Sequence, residues 1–184
     1  DFAISSHYKA NLARESNMFD NEIVSIRNND EKINKDGGIR PNTSHEILDG
    51  LKLAFDENGT VTAGTASPLT DGASAVIVCE EKYAKKNNLN ILARIKSTAV
   101  VGCPPELMGL GPINASKKAL KRANLSISDI DIVELNEAFA SQSLACIKEL
   151  KMDINKVNIH GGAIALGHPL GATGARITGK VATL

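Results

Sequence analysis

A glycine-rich segment near the C-terminal end constrains the fold more than any other part of the sequence. Residues 161–174 read GGAIALGHPLGATG, and five of these fourteen residues are glycine. Glycine at this density suits backbone that turns with positive φ or lies close to another group, and it does not suit a packed strand or helix. Pro169 favours extended backbone at His168, and a helical pattern resumes over residues 171–184. The segment therefore predicts a loop that projects one imidazole beside a helix N-terminus.

That position gives His168 a chemical context. Free N–H groups and the positive end of a helix dipole favour developing negative charge, which a general base or an oxyanion donor needs nearby. A Walker-type phosphate loop requires Gly-Lys-Ser/Thr, which is absent, and the dinucleotide fingerprint spaces its glycines differently. A glycine-rich connection with an incidental histidine is the alternative, and a functional histidine is favoured over it.

A second candidate lies about thirty residues upstream. An apolar run over residues 130–135 reads as a buried strand, and apolar residues then recur at helical spacing from Phe139. Asn136 thus lies at a strand-to-helix corner. It is equally well interpreted as a helix N-cap, and the two interpretations are compatible because ligands bind where parallel strands meet helix N-termini.

Together these residues resemble the thiolase family, which makes or cleaves 3-ketoacyl-coenzyme A. The resemblance spans the whole chain in five ordered stretches. They are DFAISSHYKA at residues 1–10, GTVTAGTASPLTDGASA at 59–75, MGLGP at 108–112, NEAFA at 136–140 and GGAIALGHPLGATGAR at 161–176.

The resemblance implies a layered α/β/α/β/α fold, of which this chain holds a part. Residues 1–69 would be the remainder of the loop domain, 70–90 the last elements of the N-terminal half and 91–184 most of the C-terminal half. Thiolases use two cysteines, and the sequence contexts of both are absent here. We therefore expect the chain to be an internal fragment of a protein about twice as long, inactive by itself.

None of the three cysteines is a convincing substitute for the missing pair. Cys79 and Cys146 fall in apolar stretches and are predicted to be core thiols, whereas Cys103 lacks the neighbouring base that activation requires. The odd number, with no C-x-x-C pair, argues against a disulfide framework or a zinc site and for a reducing compartment. His7 and His45 are predicted to face solvent, and His160 either supports the site or caps a strand.

The likeness also implies an acyl-cysteine mechanism. In the family, the histidine of Gly-His-Pro and a water held by the asparagine of Asn-Glu-Ala-Phe form an oxyanion hole, which implies His168 and Asn136 here. Substrates would be coenzyme A thioesters, with no permanently bound cofactor and no metal. The implied coenzyme A and acyl contacts are Arg40, Phe55, Ala63, Ser67, Met108 and Phe139.

Periodicity predicts alternating strands and helices, and hence a mostly parallel sheet. Helices are predicted over residues 1–17, 80–88, 114–124, 138–150 and 171–184, and strands over 22–26, 61–63, 73–79, 91–101, 130–135 and 157–159.

Composition limits the partners. The charge is balanced at 21 basic and 21 acidic side chains, and aromatic residues make up 3%. Neither nucleic acid nor a membrane surface is therefore expected as a partner, and a cytoplasmic location is predicted. The family likeness implies a homodimer or homotetramer. Two alternatives stay open if the chain is complete: a ketoacyl-synthase-like enzyme, with His160 as its second histidine, and a non-catalytic acyl-coenzyme A binder or assembly subunit.

Overall fold

Seven α-helices form most of the regular structure. A computed structural model describes all residues, 1–184. The helices are α1 (Phe2–Glu15), α2 (His45–Asp49), α3 (Glu81–Lys86), α4 (Gly111–Ala123), α5 (Ala140–Leu150), α6 (Ala163–Leu166) and α7 (Thr173–Thr183). Two short strands, β1 (Ile26–Asn28) and β2 (Glu31–Ile33), form an antiparallel hairpin, and 3₁₀ turns cover Pro105–Leu110, Ile127–Asp129 and Ile154–Lys156.

The long helices follow the predicted periodicity, and two of them end at residues with left-handed backbone. All five predicted helices are confirmed, as α1, α3, α4, α5 and α7, with bounds that differ by a few residues. α4 ends at Asn124 and α5 at Lys151, each with left-handed backbone (φ 54°). Such a residue lets the backbone N–H groups that follow bond back to the last free carbonyls of the helix. The glycine-rich segment differs from its prediction, because the four-residue helix α6 lies inside it.

The strand predictions are wrong for this chain. The hairpin lies at residues 26–33 instead of 22–26, and residues 133 and 157 share a single parallel bridge where two strands were expected. The segments predicted as strands over 73–79 and 91–101 are irregular. No backbone N–H of residues 71–79 or 90–103 donates a hydrogen bond within the chain. A β-ladder forms only between neighbouring backbones, so an apolar run without such a neighbour forms no strand.

The main core lies between α4 and α5 and the two segments that share the parallel bridge. Its buried members are Ile113, Leu135, Cys146, Ile147, Leu150 and Val157. Two smaller clusters join α1 to α6. The cluster around Ile164 also includes Ala140 of α5, and the cluster around Ala165 also includes Ile39. Helix α6 is therefore held from several sides immediately before His168. None of the helices has the length and apolar character to span a membrane.

Two predicted exposures are wrong. His7 is only 3% exposed, because the face of α1 that carries it packs against the rest of the chain and its Nδ1 accepts the backbone N–H of Arg40 at 3.1 Å. Cys79 is exposed because the segment that carries it has no backbone neighbour to cover it. The predictions for Cys146, which is fully buried, and for His45, which is exposed, are confirmed.

Candidate functional site

Asn136 and His168 lie side by side, although 32 residues separate them in the sequence. The Nδ2 atom of Asn136 is 3.3 Å from the Nε2 atom of His168. The other amide atom of Asn136, Oδ1, is buried and makes no hydrogen bond to the protein. A buried polar atom without a protein partner is uncommon and marks a place where a ligand or water can bind. The two loops thus form one site with an imidazole and a carboxamide in contact.

Backbone geometry fixes the loop that carries His168. Gly167, which ends α6, has a φ of +92°, a conformation that other residues rarely adopt. A Cβ atom there would lie 2.5 Å from the side chain of Thr70. The Thr70 hydroxyl oxygen accepts the backbone N–H of His168 at 3.3 Å. The loop therefore has one close neighbour in the 65–70 segment, a contact that the sequence did not indicate.

The imidazole of His168 is also held from its other nitrogen. Its Nδ1 atom lies 2.7 Å from the hydroxyl oxygen of Thr173, the first residue of α7. This arrangement places His168 beside the N-terminus of an 11-residue helix, as predicted. Thr173 was not predicted as a site residue. The sequence already placed it five residues after His168, in the first turn of the predicted helix, and this position could have indicated a contact.

A buried carboxylate links the two loops behind the site. Glu137, next to Asn136, is 1% exposed and accepts three hydrogen bonds, from the Ser6 hydroxyl at 2.6 Å, the Asn158 amide at 2.7 Å and the backbone N–H of Ile164 at 3.2 Å. The Ser6 hydroxyl in turn accepts the backbone N–H of Gly162 at 3.1 Å. Burial raises the pKa of Glu137, and the hydrogen bonds from Ser6, Asn158 and Ile164 oppose that rise.

Gly162 allows this carboxylate to approach the backbone. A Cβ atom at residue 162 would meet the Glu137 carboxyl group well inside van der Waals distance. Only glycine therefore fits here. The sequence pattern showed that a close approach was needed in this segment. It could not show that the neighbour is the Glu137 carboxylate, which belongs to a different loop of the chain.

A third segment borders the site and carries Ser67. The backbone N–H of Ser67 donates to the Ala138 carbonyl at 3.0 Å, and the N–H of Ala140 donates to the Thr65 carbonyl at 2.8 Å. This pairing places Ser67 next to Phe139. The ring of Phe55 meets Phe139 edge to face, with centroids 5.9 Å apart, and is 75% exposed. Three predicted contact residues, Phe55, Ser67 and Phe139, are thus grouped beside the Asn136 loop.

Three other predicted contacts lie apart from that group. Ala63 is exposed in the turn before Ser67. Arg40 is exposed, and its guanidinium forms no hydrogen bond or ion pair within the chain. Met108 is 66% exposed in the 3₁₀ turn before α4. No hydrogen bond connects these three residues to Asn136 or His168.

The contacts of His160 do not connect it to the site formed by Asn136 and His168. Its ring meets Phe19 edge to face, with centroids 6.2 Å apart, and makes no hydrogen bond to Asn136 or His168. Burial, and after it the Lys180 ammonium group, lower its pKa. A ketoacyl-synthase-like site would need a second histidine next to His168, so this geometry disfavours that alternative. No group of three or more His, Cys, Asp or Glu residues is placed to hold a metal ion.

Comparison with known proteins matches both parts of the chain. The model of the thiolase N-terminal domain matches residues 1–82, and that of the thiolase C-terminal domain matches residues 89–184. The chain is 54% identical over 187 residues to the 3-ketoacyl-CoA thiolase of Shewanella loihica, covering 97% of the chain and 48% of that protein.

Solved structures agree with the sequence matches. Human mitochondrial 3-ketoacyl-CoA thiolase in complex with CoA superposes with a TM-score of 0.96 at 46% identity, covering 99% of the chain and 46% of that structure. The acetyl-CoA acetyltransferase of Bacillus anthracis superposes with a TM-score of 0.94 at 44% identity, covering 99% and 47%.

These likenesses define a mixed α/β chain with a thiolase-like fold. The chain belongs to the thiolase family, as its five motifs predicted. It spans about half the length of the curated relatives it matches. The expected division at residues 69 and 90 stays a prediction.

Proposed function

We propose that this chain supplies the oxyanion-binding half of the active site of a thiolase-type acyltransferase that acts on 3-ketoacyl-coenzyme A. The observation that carries the proposal is the contact between Asn136 and His168, 3.3 Å apart at the junction of two loops. The relatives named 3-ketoacyl-CoA thiolase and the CoA complex of the human enzyme support the substrate class.

The proposed reaction forms an acyl-cysteine intermediate. In thiolysis, a cysteine thiol gives its proton to Nε2 of His168, and the thiolate attacks the 3-keto carbonyl carbon. The bond between the keto carbon and the α-carbon breaks, so the acyl group stays on the cysteine and acetyl-coenzyme A leaves as an enolate that takes up a proton. The thiol of a second coenzyme A then attacks the acyl-cysteine, which releases acyl-coenzyme A and the free cysteine. The protonated Nε2 then donates to the oxygen on which negative charge develops. Asn136 orders a second donor through its unpartnered amide atom. None of the chain's three cysteines has a base at hydrogen-bond distance, so the proposal assigns the nucleophile to a cysteine outside these residues.

The coenzyme A contacts belong to the same proposal. The exposed Phe55 ring beside Phe139 offers an apolar surface to the pantetheine arm, and Ser67 borders it. Ala63, in the turn before Ser67, is proposed as a further contact of the same arm. The unpaired guanidinium of Arg40 suits the phosphates of the nucleotide end, because arginine binds phosphate through several N–H groups at once. Met108 is proposed to line the acyl chain. Assembly as a homodimer or homotetramer and a cytoplasmic location stay predictions.

The test is thiolysis by the full gene product, with acetoacetyl-coenzyme A and a longer 3-ketoacyl thioester as substrates. Removing one oxyanion donor typically lowers kcat by about 10²- to 10³-fold, and we expect losses of this size in His168→Ala and Asn136→Ala. The Michaelis constant should change much less, since these groups act on charge that develops in the transition state.

The control is His45→Ala, which removes an exposed imidazole in α2 that has no contact with the site. It should keep the wild-type rate. Wild-type turnover in His168→Ala would remove this residue from the mechanism. Tight binding of acyl-coenzyme A without turnover in the wild-type protein would favour a binding subunit.

A further inference from the structure

Thr173 is a buried hydroxyl that contacts the candidate catalytic imidazole. It is 3% exposed and begins α7, and its oxygen lies 2.7 Å from Nδ1 of His168 and 3.0 Å from the carbonyl oxygen of Pro169. Both neighbours flank the same turn. Thr173 therefore connects the imidazole to the backbone of its own loop.

We propose that Thr173 is the positioning residue that keeps the proton of neutral His168 on Nδ1 and leaves Nε2 as the proton acceptor facing Asn136. A carbonyl oxygen can only accept, so a hydroxyl that donates to Pro169 must accept from Nδ1. Nδ1 then carries the single proton of the neutral ring. The remaining contact is consistent, since the Asn136 amide N–H group points at the free lone pair of Nε2.

In a second possible arrangement, the hydrogen bond between Thr173 and Nδ1 of His168 has the opposite direction. The Pro169 carbonyl already accepts the backbone N–H groups of Ala172 at 2.9 Å and Thr173 at 3.0 Å. If the Thr173 hydroxyl donated to Nδ1 instead, the ring proton would sit on Nε2 and the Asn136 amide would turn its oxygen towards it. The two arrangements place the proton on different nitrogen atoms and can be separated by measurement.

The assignment matters because it rests on the proposed function and specifies one step of it. Only a ring with a free Nε2 lone pair can remove the thiol proton at the Asn136 side. After that transfer, both ring nitrogens carry protons: Nδ1–H still bonds to Thr173, and Nε2–H becomes the donor to the substrate oxygen. Thr173 touches neither substrate nor nucleophile and acts through the orientation and tautomer of His168.

The test compares Thr173→Val with Thr173→Ser and uses Thr178→Val as the matched control. Valine keeps the shape of threonine without its hydroxyl, and serine keeps the hydroxyl. Thr178 lies on the same helix and also donates to the carbonyl four residues earlier, at 2.8 Å from Gly174, but it is exposed and far from the imidazole contact. Losing that helix bond therefore affects Thr178→Val and Thr173→Val alike.

The primary readout is the ¹⁵N NMR spectrum of the neutral His168 ring, assigned by its disappearance in His168→Gln. We expect the proton on Nδ1 in the wild type, Thr173→Ser and Thr178→Val, and transfer of much of that population to Nε2 in Thr173→Val. Loss of the partner that fixes the tautomer of a metal-bound histidine typically costs about 10- to 100-fold in activity, and we expect a drop of similar size in kcat/KM for Thr173→Val alone.

Two results would overturn the assignment: a wild-type proton on Nε2, or an unchanged tautomer in Thr173→Val. The wild-type spectrum decides the matter even if the valine variant does not fold. The tautomer readout is independent of turnover. A wild-type protein without thiolase activity that still shows the predicted tautomer change would contradict the proposed reaction while leaving the role of Thr173 intact.

Discussion

At the residue scale, the buried His7 of α1 must be neutral to make its hydrogen bond with the backbone of Arg40. Its Nδ1 accepts the backbone N–H of Arg40, which a protonated ring nitrogen cannot do. Burial, and after it the Arg40 guanidinium, lower the pKa of His7 below the ordinary value of 6.5. In the interval between the folded and unfolded pKa values the unfolded chain binds more protons, so stability rises with pH there. The contribution is complete above pH 6.5 and is lost as the pH falls through the folded pKa.

We expect His7→Asn to reduce this acid sensitivity. The side-chain oxygen of asparagine can occupy the position of Nδ1 and accept the Arg40 N–H without titrating. Urea unfolding between about pH 5 and 8 should show that the wild type loses about 1 kcal/mol more than the variant on acidification, the usual net value of one hydrogen bond. His160, whose pKa is also lowered, leaves part of the slope in both proteins.

His45→Asn is the control for removing a histidine, because His45 is exposed and contacts only Asp1. Adding His7→Asn should change the slope of stability against pH equally in the presence and absence of His45→Asn. Equal slopes for the wild type and His7→Asn would contradict the assigned role of His7.

At the scale of elements, Glu137 clamps α1, the Asn136 loop and α6 together. In the variant Glu137→Gln, an amide N–H group would face either the N–H of Ile164 or the amide of Asn158, and a buried donor would lose its acceptor. We expect Glu137→Gln and Ser6→Ala each to lower the free energy of unfolding by about 1–3 kcal/mol. Because the Ser6 hydroxyl donates directly to Glu137, the two losses should not add in the double variant, which denaturant titration can measure.

Ser5→Ala is the matched control on α1, since Ser5 precedes Ser6 and its hydroxyl makes no hydrogen bond. Its stability should match the wild type within about 0.5 kcal/mol, the usual range for such a change. Additive losses in the double variant would show that Ser6 and Glu137 act separately.

The sequence predicted helices far better than strands, and the reason is physical. A helix closes its hydrogen bonds within one segment, so the apolar periodicity of α4, α5 and α7 is sufficient to predict them. A strand depends on a neighbour that can lie anywhere in the chain or outside it. Residues 73–79 and 91–101 have the apolar pattern of strands, but their backbones form no hydrogen bonds with another backbone segment of the chain.

The site residues also separate into those that local sequence predicted and those that it missed. Asn136 and His168 were found because their local motifs resemble a family, and the structure brings them into contact. Thr70 and Ser6 were missed because their partners lie 98 and 131 residues away, a separation that no local pattern reports. His7 was misassigned for the same reason: its burial depends on a contact with the segment at Arg40.

At the scale of the whole molecule, the chain exposes more surface than its mass predicts. Its accessible surface is 12656 Å², whereas a compact monomer of this size exposes about 8,500 Å². Its 184 residues form 84 backbone–backbone hydrogen bonds, which is fewer than one for every two residues. A typical folded domain forms roughly 0.7 per residue. Ile77, Leu92 and Val100 are among the apolar side chains left in solvent. The excess surface coincides with the segments that have no backbone partner.

These segments give a prediction for amide hydrogen exchange in the 184-residue chain. The N–H groups of residues 71–79 and 90–103 donate no hydrogen bond, so they should exchange at nearly the rate of an unstructured peptide. The amides of α5 should exchange far more slowly, since that helix packs in the main core with Cys146 fully buried. Exchange measured by mass spectrometry on peptides from both regions tests this contrast within one sample, with α5 as the internal control.

Protection of the two segments at the level of α5 would contradict the prediction, and its concentration dependence would identify the cause. Unpaired apolar backbone is a template for pairing with another chain. Protection that disappears on dilution would show that copies of the chain pair through these segments, and Ile77→Lys or Leu92→Lys should then weaken it because a charge on a pairing surface opposes association. Protection that persists on dilution would mean that the segments find backbone partners within the monomer.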